Sequence, residues 1–216
     1  MLDVYGRYSN SSYRTLQVFD ADGNEFPNID TSRYTAQTLR LGMTLDATDD
    51  RLDPRKGVRF EFVRQSLLDR IDPVFSTFDV YDTNLTLYLP VGRRNTWVFN
   101  AFMSDAVRQK TGLTDRTELT QPFGLNCGAI PDPAAQASCY ATETKRIDEI
   151  LASNLYGNAT PLGGTQWLRS YVNGRFHAGH AVAFGTEYRW NLTEEQTLMN
   201  WYILRGVRTN IQTAFF

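Results

Sequence analysis

The chain has 216 residues, with 22 Lys+Arg against 24 Asp+Glu, so its formal net charge is −2. This near-neutral balance argues against a general nucleic-acid binder, which is usually clearly basic. An aromatic content of 13% argues against a disordered chain. No apolar run approaches the ~18 residues that a membrane-spanning helix needs. The mean hydropathy of −0.40 still allows a transmembrane barrel, because its strands alternate lipid-facing and lumen-facing residues.

Apolar and polar residues alternate along most of the chain, and this period of two predicts β-strands. In the first third, strands are predicted at residues 2–8 and 13–19, a turn at 20–24 and a loop at 27–33. The later alternating runs lie at residues 39–46, 58–62, 81–89, 97–104 and 181–192. Several of them exceed the usual strand length of globular proteins and match the ~9–11 residues of a tilted membrane-spanning strand.

The connections between these strands are of two kinds. Residues 90–95 and 193–196 are predicted tight turns, whereas residues 107–176 form one long insertion. Short turns at one end and long loops at the other are typical of outer-membrane barrels. Within the insertion, apolar residues at helical spacing predict a helix over 142–155. We interpret it as a helix lying on its own loop, with a partner-binding helix as the alternative.

The two cysteines, Cys127 and Cys139, lie close together in a polar, proline-containing part of the insertion. Their proximity predicts a local disulfide and therefore an oxidising compartment. Two free thiols are the alternative.

The sequence offers little for catalysis or metal binding. His177 and His180 have no third histidine or cysteine nearby, so two exposed histidines are expected instead of a metal site. The carboxylate-rich segment Asp46–Gly57 does not have EF-hand spacing and is predicted to be a turn. Nucleophile-elbow, phosphate-loop and dinucleotide-binding motifs are absent from the sequence. We therefore expect no enzyme activity, no cofactor and no metal.

The segment LGGTQWLRSY, residues 162–171, is the most informative loop sequence. Gly163 and Gly164 permit a sharp backbone turn, and an apolar Trp-Leu pair precedes the cation Arg169. An apolar tip of this kind predicts a loop that folds back into an enclosed lumen. There Arg169 would pair with a carboxylate, for which Glu187 on the next strand is the candidate. The alternative is an exposed loop with a surface arginine.

The order and spacing of several stretches resemble the barrel of the BamA/TamA-type outer-membrane surface-antigen superfamily. They are LRLGMTLDATDDRLDPRKGVRFEF, the strand pair at residues 78–103, LGGTQWLRSY, AVAFGTEYRWNL and VRTNIQTAFF. Ser170 departs from the pattern, since the family has glycine there, while Arg169 and Tyr171 match it. Serine is less suited to the positive φ that glycine permits.

The resemblance implies an all-β fold, an antiparallel transmembrane β-barrel or a partial barrel of roughly eight strands from a sixteen-stranded one. A small closed barrel ending at Phe216 is the alternative. Residues 1–216 would form one barrel region with residues 107–176 as one long extracellular or lumenal loop, without the periplasmic domains of the family. In this interpretation Arg169 braces the loop against Glu187. The polar interior would contain Arg40, Asp46, Arg59, Glu61, Asp82 and Arg189. The side chains facing lipid or the membrane interface would include Trp97, Phe99, Tyr188, Trp190 and Trp201.

The function implied by the resemblance is non-enzymatic, in the bacterial outer membrane. Relatives assemble and insert other outer-membrane proteins, so the expected partners are the lipid bilayer, client proteins and accessory lipoproteins, and no nucleic acid. A second hypothesis is a translocation pore that exports a dedicated passenger, such as a fused lipase or an adhesin. A third is a soluble β-sandwich binding module.

Overall fold

The computed structural model describes residues 1–14, 33–69, 74–93, 95–165, 167–191, 198–202, 204–208 and 212–215. The strands in these ranges are β1 (Leu2–Arg14), β2 (Arg33–Thr48), β3 (Gly57–Asp69), β4 (Thr77–Val91), β5 (Asn95–Lys110), β6 (His180–Asn191), β7 (Leu198–Trp201), β8 (Leu204–Arg208) and β9 (Gln212–Phe215). Between β5 and β6 lie the helices α1 (Arg116–Phe123) and α2 (Pro133–Tyr156), with a 3-10 turn at Cys127–Ala129 between them.

Seven of the strands form one antiparallel sheet in the order β1-β2-β3-β4-β5-β6-β9, and β7 pairs with β8 in a separate hairpin. The prediction of an all-β antiparallel fold is confirmed. Over the described residues the sheet is open, which is consistent with a partial barrel. Its central strands have 12 to 16 residues each, as the sequence pattern predicted for membrane-length strands.

The first third of the chain differs from its prediction in one respect. Residues 2–14 form a single strand, because each of them pairs with β2 without a break, from Leu2 opposite Leu45 to Arg14 opposite Arg33. The polar run at residues 9–12 interrupts the apolar alternation, although Ser9 and Thr38 join their hydroxyl groups across the two strands at 2.5 Å. Residues 15–19 of the predicted second strand, the turn at 20–24, most of the loop at 27–33 and the turn at 193–196 lie outside the described residues.

The strand register sorts the side chains of the sheet onto two chemically different faces. Opposite residues share a face, so one row crosses five strands as Leu45, Phe60, Leu85, Ala101 and Phe184. This apolar face is exposed: it includes Leu41, Met43, Leu45, Leu85, Leu87, Leu89, Trp97, Phe99, Met103, Val182 and Phe184. The other side, called the polar face below, carries Arg40, Asp46, Arg59, Glu61, Asp82, Glu187 and Arg189.

The connection between β5 and β6 spans residues 111–179, since β5 continues to Lys110 and β6 begins at His180. Its helix α2 covers the predicted 142–155 but begins nine residues earlier. Asp132 caps the helix by accepting a hydrogen bond from the Ala135 amide at 2.9 Å, and Pro133 opens the first turn. In the parts of the chain that the structure describes, no helix is both long enough and apolar enough to cross a membrane.

Candidate functional site

The chain returns from α2 to the sheet through residues 158–165 and Trp167, which we call the strap. Its polar anchor is Thr160, whose amide donates to Oγ of Ser104 at 2.9 Å and whose hydroxyl lies 2.8 Å from both carboxylate oxygens of Asp82. Ser104 Oγ donates to Asp82 Oδ1 at 2.6 Å and is fully buried. These bonds form a closed ring that fixes the strap to β4 and β5 on the polar face.

The apolar anchor of the strap is Trp167. Its ring stacks on Phe102 of β5, with the ring centroids 4.2 Å apart and the planes tilted by 15°. Phe102 is only 4% exposed, so the strap covers a side chain that would otherwise project from the polar face into the interior. Thr160 and Trp167 therefore bring the strap onto the polar face of the sheet, whereas the predicted return of the loop into an enclosed lumen stays a prediction.

The two glycines of the LGG segment turn the chain back on itself. Gly163 and Gly164 have φ values of 117° and 93°, a region that other residues rarely adopt. Their amides donate to the Trp167 and Tyr171 carbonyl oxygens at 3.1 and 3.0 Å. Among the other described residues of this turn, Leu168 has a positive φ of 56° and Ser170 does not, so Ser170 does not occupy a conformation that needs glycine.

Arg169 and Glu187 lie in different surroundings. Arg169, like Ser170 and Tyr171, is exposed at the turn. Glu187 accepts a hydrogen bond from Nε of Arg189 at 2.7 Å, and each side chain of that pair is 20% exposed. The predicted pairing of Arg169 with Glu187 stays a prediction.

The carboxylates of Asp46–Gly57 bind groups of the turn and of its own strands, and Asp53 also lies 3.9 Å from Arg189 of β6. Asp49 Oδ1 accepts hydrogen bonds from the amides of Asp50, Arg55 and Lys56 at 2.9–3.1 Å. These bonds, that from Lys56 foremost, hold the pKa of Asp49 below its usual value. Over the described residues, no group of three or more His, Cys, Asp or Glu side chains is placed to hold a metal ion.

The insertion above the sheet is fastened to it at Asn154 of α2, which is 1% exposed. Its amide nitrogen donates to the carbonyl oxygens of Val74 and Leu113, both at 2.7 Å, and its Oδ1 accepts from the amide of Ser76 at 2.9 Å. One side chain therefore joins three segments: the approach to β4, the exit from β5 and the end of α2. We call this arrangement the Asn154 clasp.

Farther out, Cys127 and Cys139 are joined by a disulfide. The bond is buried with Leu125, and Ile130 packs against this small cluster. Glu143 of α2 accepts a hydrogen bond from the Leu125 amide at 2.6 Å. The disulfide thus holds the segment after α1 against the first half of α2.

Comparison with known families now adds to this geometry. A model of the Omp85 superfamily domain matches residues 5–128, more than half of the chain. The chain belongs to the Omp85 superfamily. The resemblance to BamA/TamA-type barrels is thereby confirmed at the level of the family. No curated protein and no solved structure matches the chain.

Members of the Omp85 superfamily are outer-membrane proteins of Gram-negative bacteria that insert or translocate other proteins, and they are not enzymes. In this Omp85 chain the matched region covers β1 to β5 and the beginning of the insertion. It ends before the strap and the LGG segment. The likeness of LGGTQWLRSY to the family motif therefore rests on that segment alone.

The sequence prediction missed the residues that anchor the strap of this Omp85 chain. The sequence pattern assigns Asp82 only to a polar interior, and it does not distinguish Thr160 from other loop residues. The readable signal is the polar face of β4 and β5, where Asp82 and Ser104 stand opposite each other and a half-buried carboxylate beside a buried hydroxyl favours a further donor. Trp167 was noted as apolar, but its partner Phe102 could be found only from the register.

Proposed function

We propose that this Omp85 chain forms part of a transmembrane β-barrel in the bacterial outer membrane and serves the insertion of other β-rich proteins there. The observation that carries the proposal is the exposed apolar face of the sheet. Phe184 is 79% exposed and Val182 54% exposed, at the β6 end of rows of apolar residues that cross the sheet. Soluble monomers rarely expose so continuous an apolar surface, whereas a lipid bilayer covers it.

The height of the apolar face supports the same proposal. From Trp97 to Met103 the strand makes six steps, which at roughly 3.4 Å per residue span about 20 Å. The hydrophobic band of outer-membrane barrels is ~25 Å tall, and tilted strands cover it with a few more residues.

Both margins of the band have the chemistry of a membrane interface. At the short-turn end, Trp97 packs edge-on against Tyr188, with 6.4 Å between the ring centroids. At the other end the row becomes polar: Arg64 pairs with Asp79 at 2.7 Å, and Nδ1 of His180 lies 2.6 Å from Oδ1 of Asp105. Aromatic girdles and a change to charged residues mark bilayer boundaries in barrels of this kind.

A membrane location is tested by fractionating cells that produce the full chain. We expect it in the outer membrane and resistant to extraction by carbonate or urea, because lipid covers the apolar face. Recovery of a monomer that is soluble without detergent would contradict the proposal and favour a soluble β-sheet module.

The insertion role is tested by depleting the protein and measuring the amounts of several unrelated outer-membrane barrel proteins. We expect them to fall together, and accessory lipoproteins to co-purify with the chain from detergent. Loss of a single secreted passenger, such as a lipase or adhesin, with normal amounts of barrel proteins would contradict insertion and support dedicated export.

The strap gives a matched pair of variants for this test. Thr160→Val removes the hydroxyl that binds Asp82 and keeps the side-chain shape, whereas Thr165→Val makes the same change at an exposed strap position. If the strap contributes to insertion, only Thr160→Val should fail to restore the barrel proteins in depleted cells. Equal complementation by both variants would show that this anchor does not matter for the activity.

A brace between Arg169 and Glu187 belongs to the same proposal. It is supported by the position of Glu187 on the polar face, where an enclosed carboxylate favours a further cationic donor. Arg169→Ala should then loosen the loop, and combining it with Glu187→Gln should be less than additive in stability. Arg116→Ala is the control, since Arg116 forms an exposed ion pair with Asp148 that contributes little. Strict additivity of the first two changes would contradict the brace.

A further inference from the structure

A cavity of about 580 Å³ lies between the strap and the polar face of β2 to β5. Its volume is in the range of small-molecule sites, which are ~300–1,000 Å³. Its middle is apolar, because Val63, Val80, Phe102 and Trp167 line it. Three of these side chains are 9% exposed or less, so the apolar wall is formed by well-packed residues.

Among the described residues, one nitrogen of a cationic side chain in the cavity has no hydrogen-bond partner. Arg40 lines one end, and its Nε is buried without a hydrogen-bond partner among the described residues. A buried guanidinium N–H is costly unless an acceptor meets it. The positive charge of Arg40 and its unused Nε–H donor would both be stabilised by an anionic acceptor inside the cavity.

The two acidic residues that line the cavity, Glu61 and Asp82, stand at backbone positions far from Arg40. The residue opposite Arg40 on β3 is Gln65, and Glu61 lies four residues farther along that strand, so about 14 Å separates the backbone positions of Arg40 and Glu61. Asp82 is two strands away from Arg40 and two residues displaced along the strand, so about 12 Å separates their backbone positions. Its oxygens are already bound by Thr160 and Ser104.

We propose that this cavity binds a carboxylate attached to an apolar group, with the carboxylate on the Arg40 guanidinium and the apolar part against Val63, Val80 and the Trp167–Phe102 pair. A guanidinium presents paired N–H donors that match a carboxylate. Because both acidic residues stand far from Arg40, the Arg40 end of the cavity is electropositive. The apolar wall disfavours small inorganic anions, which have no apolar part to pack against it. The ligand chemistry has two sources: a free aliphatic acid, or the carboxyl terminus of a polypeptide ending in an apolar residue.

The test uses the full chain in detergent micelles and observes the arginine Nε–H signals by NMR. The Arg40 signal is identified by its loss in Arg40→Lys, and Arg93→Lys, in the exposed turn after β4, is the control. Hexanoate is titrated against hexanamide, and a Gly-Gly-Phe peptide with a free carboxyl terminus against its amide. We expect the chemical shift of the Arg40 Nε–H to change on addition of at least one of the two carboxylates. The change with the matching amide should be at least tenfold smaller.

The two arms identify the source of the ligand. A response to hexanoate alone supports a free aliphatic acid, and a response to the peptide acid, alone or stronger, supports a polypeptide terminus. Val80→Phe, which narrows the apolar middle without touching Arg40, should weaken binding at least fivefold. If neither carboxylate moves the Arg40 signal, or if acids and amides act equally, the proposal is overturned and water is the occupant of this end of the cavity.

Discussion

Gly42→Ala is expected to destabilise the sheet because the Tyr5 side chain occupies the space that a Cβ atom would need. Tyr5 and Gly42 stand opposite each other on β1 and β2. The ring crosses the glycine, and its hydroxyl reaches Oε1 of Glu61 on β3 at 3.4 Å. A methyl group at position 42 would overlap the ring and lie 2.5 Å from its Oη. Since non-bonded atoms need ~3.5–4.0 Å, the ring has to leave its place.

The size and the sign of the effect follow from two opposing contributions. Tyr5 is 39% exposed, so displacing its ring loses part of a full aromatic burial, about 1.5 kcal/mol. Alanine in place of a strand-interior glycine contributes roughly 0.5–1 kcal/mol in the favourable direction through backbone entropy. The expected net loss in the free energy of unfolding is therefore about 0.5–1 kcal/mol. In a Tyr5→Ala background only the favourable part remains, so the same substitution should stabilise the sheet.

The assay is urea unfolding of the full chain in detergent micelles, followed by tryptophan fluorescence, for both single variants and the double variant. Gly185→Ala is the matched control on the polar face of β6, because a Cβ atom there would meet no heavy atom within 4 Å. It should be neutral or slightly stabilising. Equal effects of Gly42→Ala with and without Tyr5 would refute the reasoning.

Three other substitutions test separate parts of the structure. Phe99→Arg, on the apolar face, should cost roughly 2–4 kcal/mol in lipid and Asn100→Arg, on the polar face, much less; equal tolerance in an unfolding assay would contradict the face assignment. Asn154→Ala removes three buried hydrogen bonds, so hydrogen exchange near residues 74–76 and 113 should accelerate, and unchanged protection there would disprove the clasp. Asp49 has a lowered pKa in the folded state, so its contribution to stability is present above the unfolded pKa and is lost as pH falls through the folded one. In Asp49→Asn the free energy of unfolding should therefore fall less steeply as the pH is lowered. Identical pH profiles for the two proteins would show that the Asp49 carboxylate does not contribute to this loss.

The two faces of the sheet could be predicted from the sequence because apolar and polar side chains alternate along each strand. Phe99 and Asn100 are neighbours in sequence, yet one is exposed among apolar side chains and the other donates to Asn84 and Thr86, both at 2.8 Å. Alternation of this kind needs no knowledge of the partner strand. It fails only where a polar run such as residues 9–12 interrupts it.

The anchoring of the strap could not be obtained in this way. Thr160 binds Asp82 across 78 residues of sequence, and nothing in the neighbourhood of Thr160 differs from an ordinary loop. Its role follows from the register that sets Asp82 beside Ser104. The start of α2 is a different case, since Asp132-Pro133 is a readable helix beginning. The helix was placed too late because the alanine-rich first turns lack apolar periodicity.

The Asn154 clasp makes the outer part of the insertion exchangeable. It ties the carbonyl oxygen of Leu113 directly to residue 154, so both ends of the intervening segment are held at one point of the sheet. A foreign domain whose termini lie close together could therefore replace residues 116–150 without changing the positions from which the strands and the strap begin. The clasp would then serve as a fixed socket for displaying a chosen peptide or domain above the sheet.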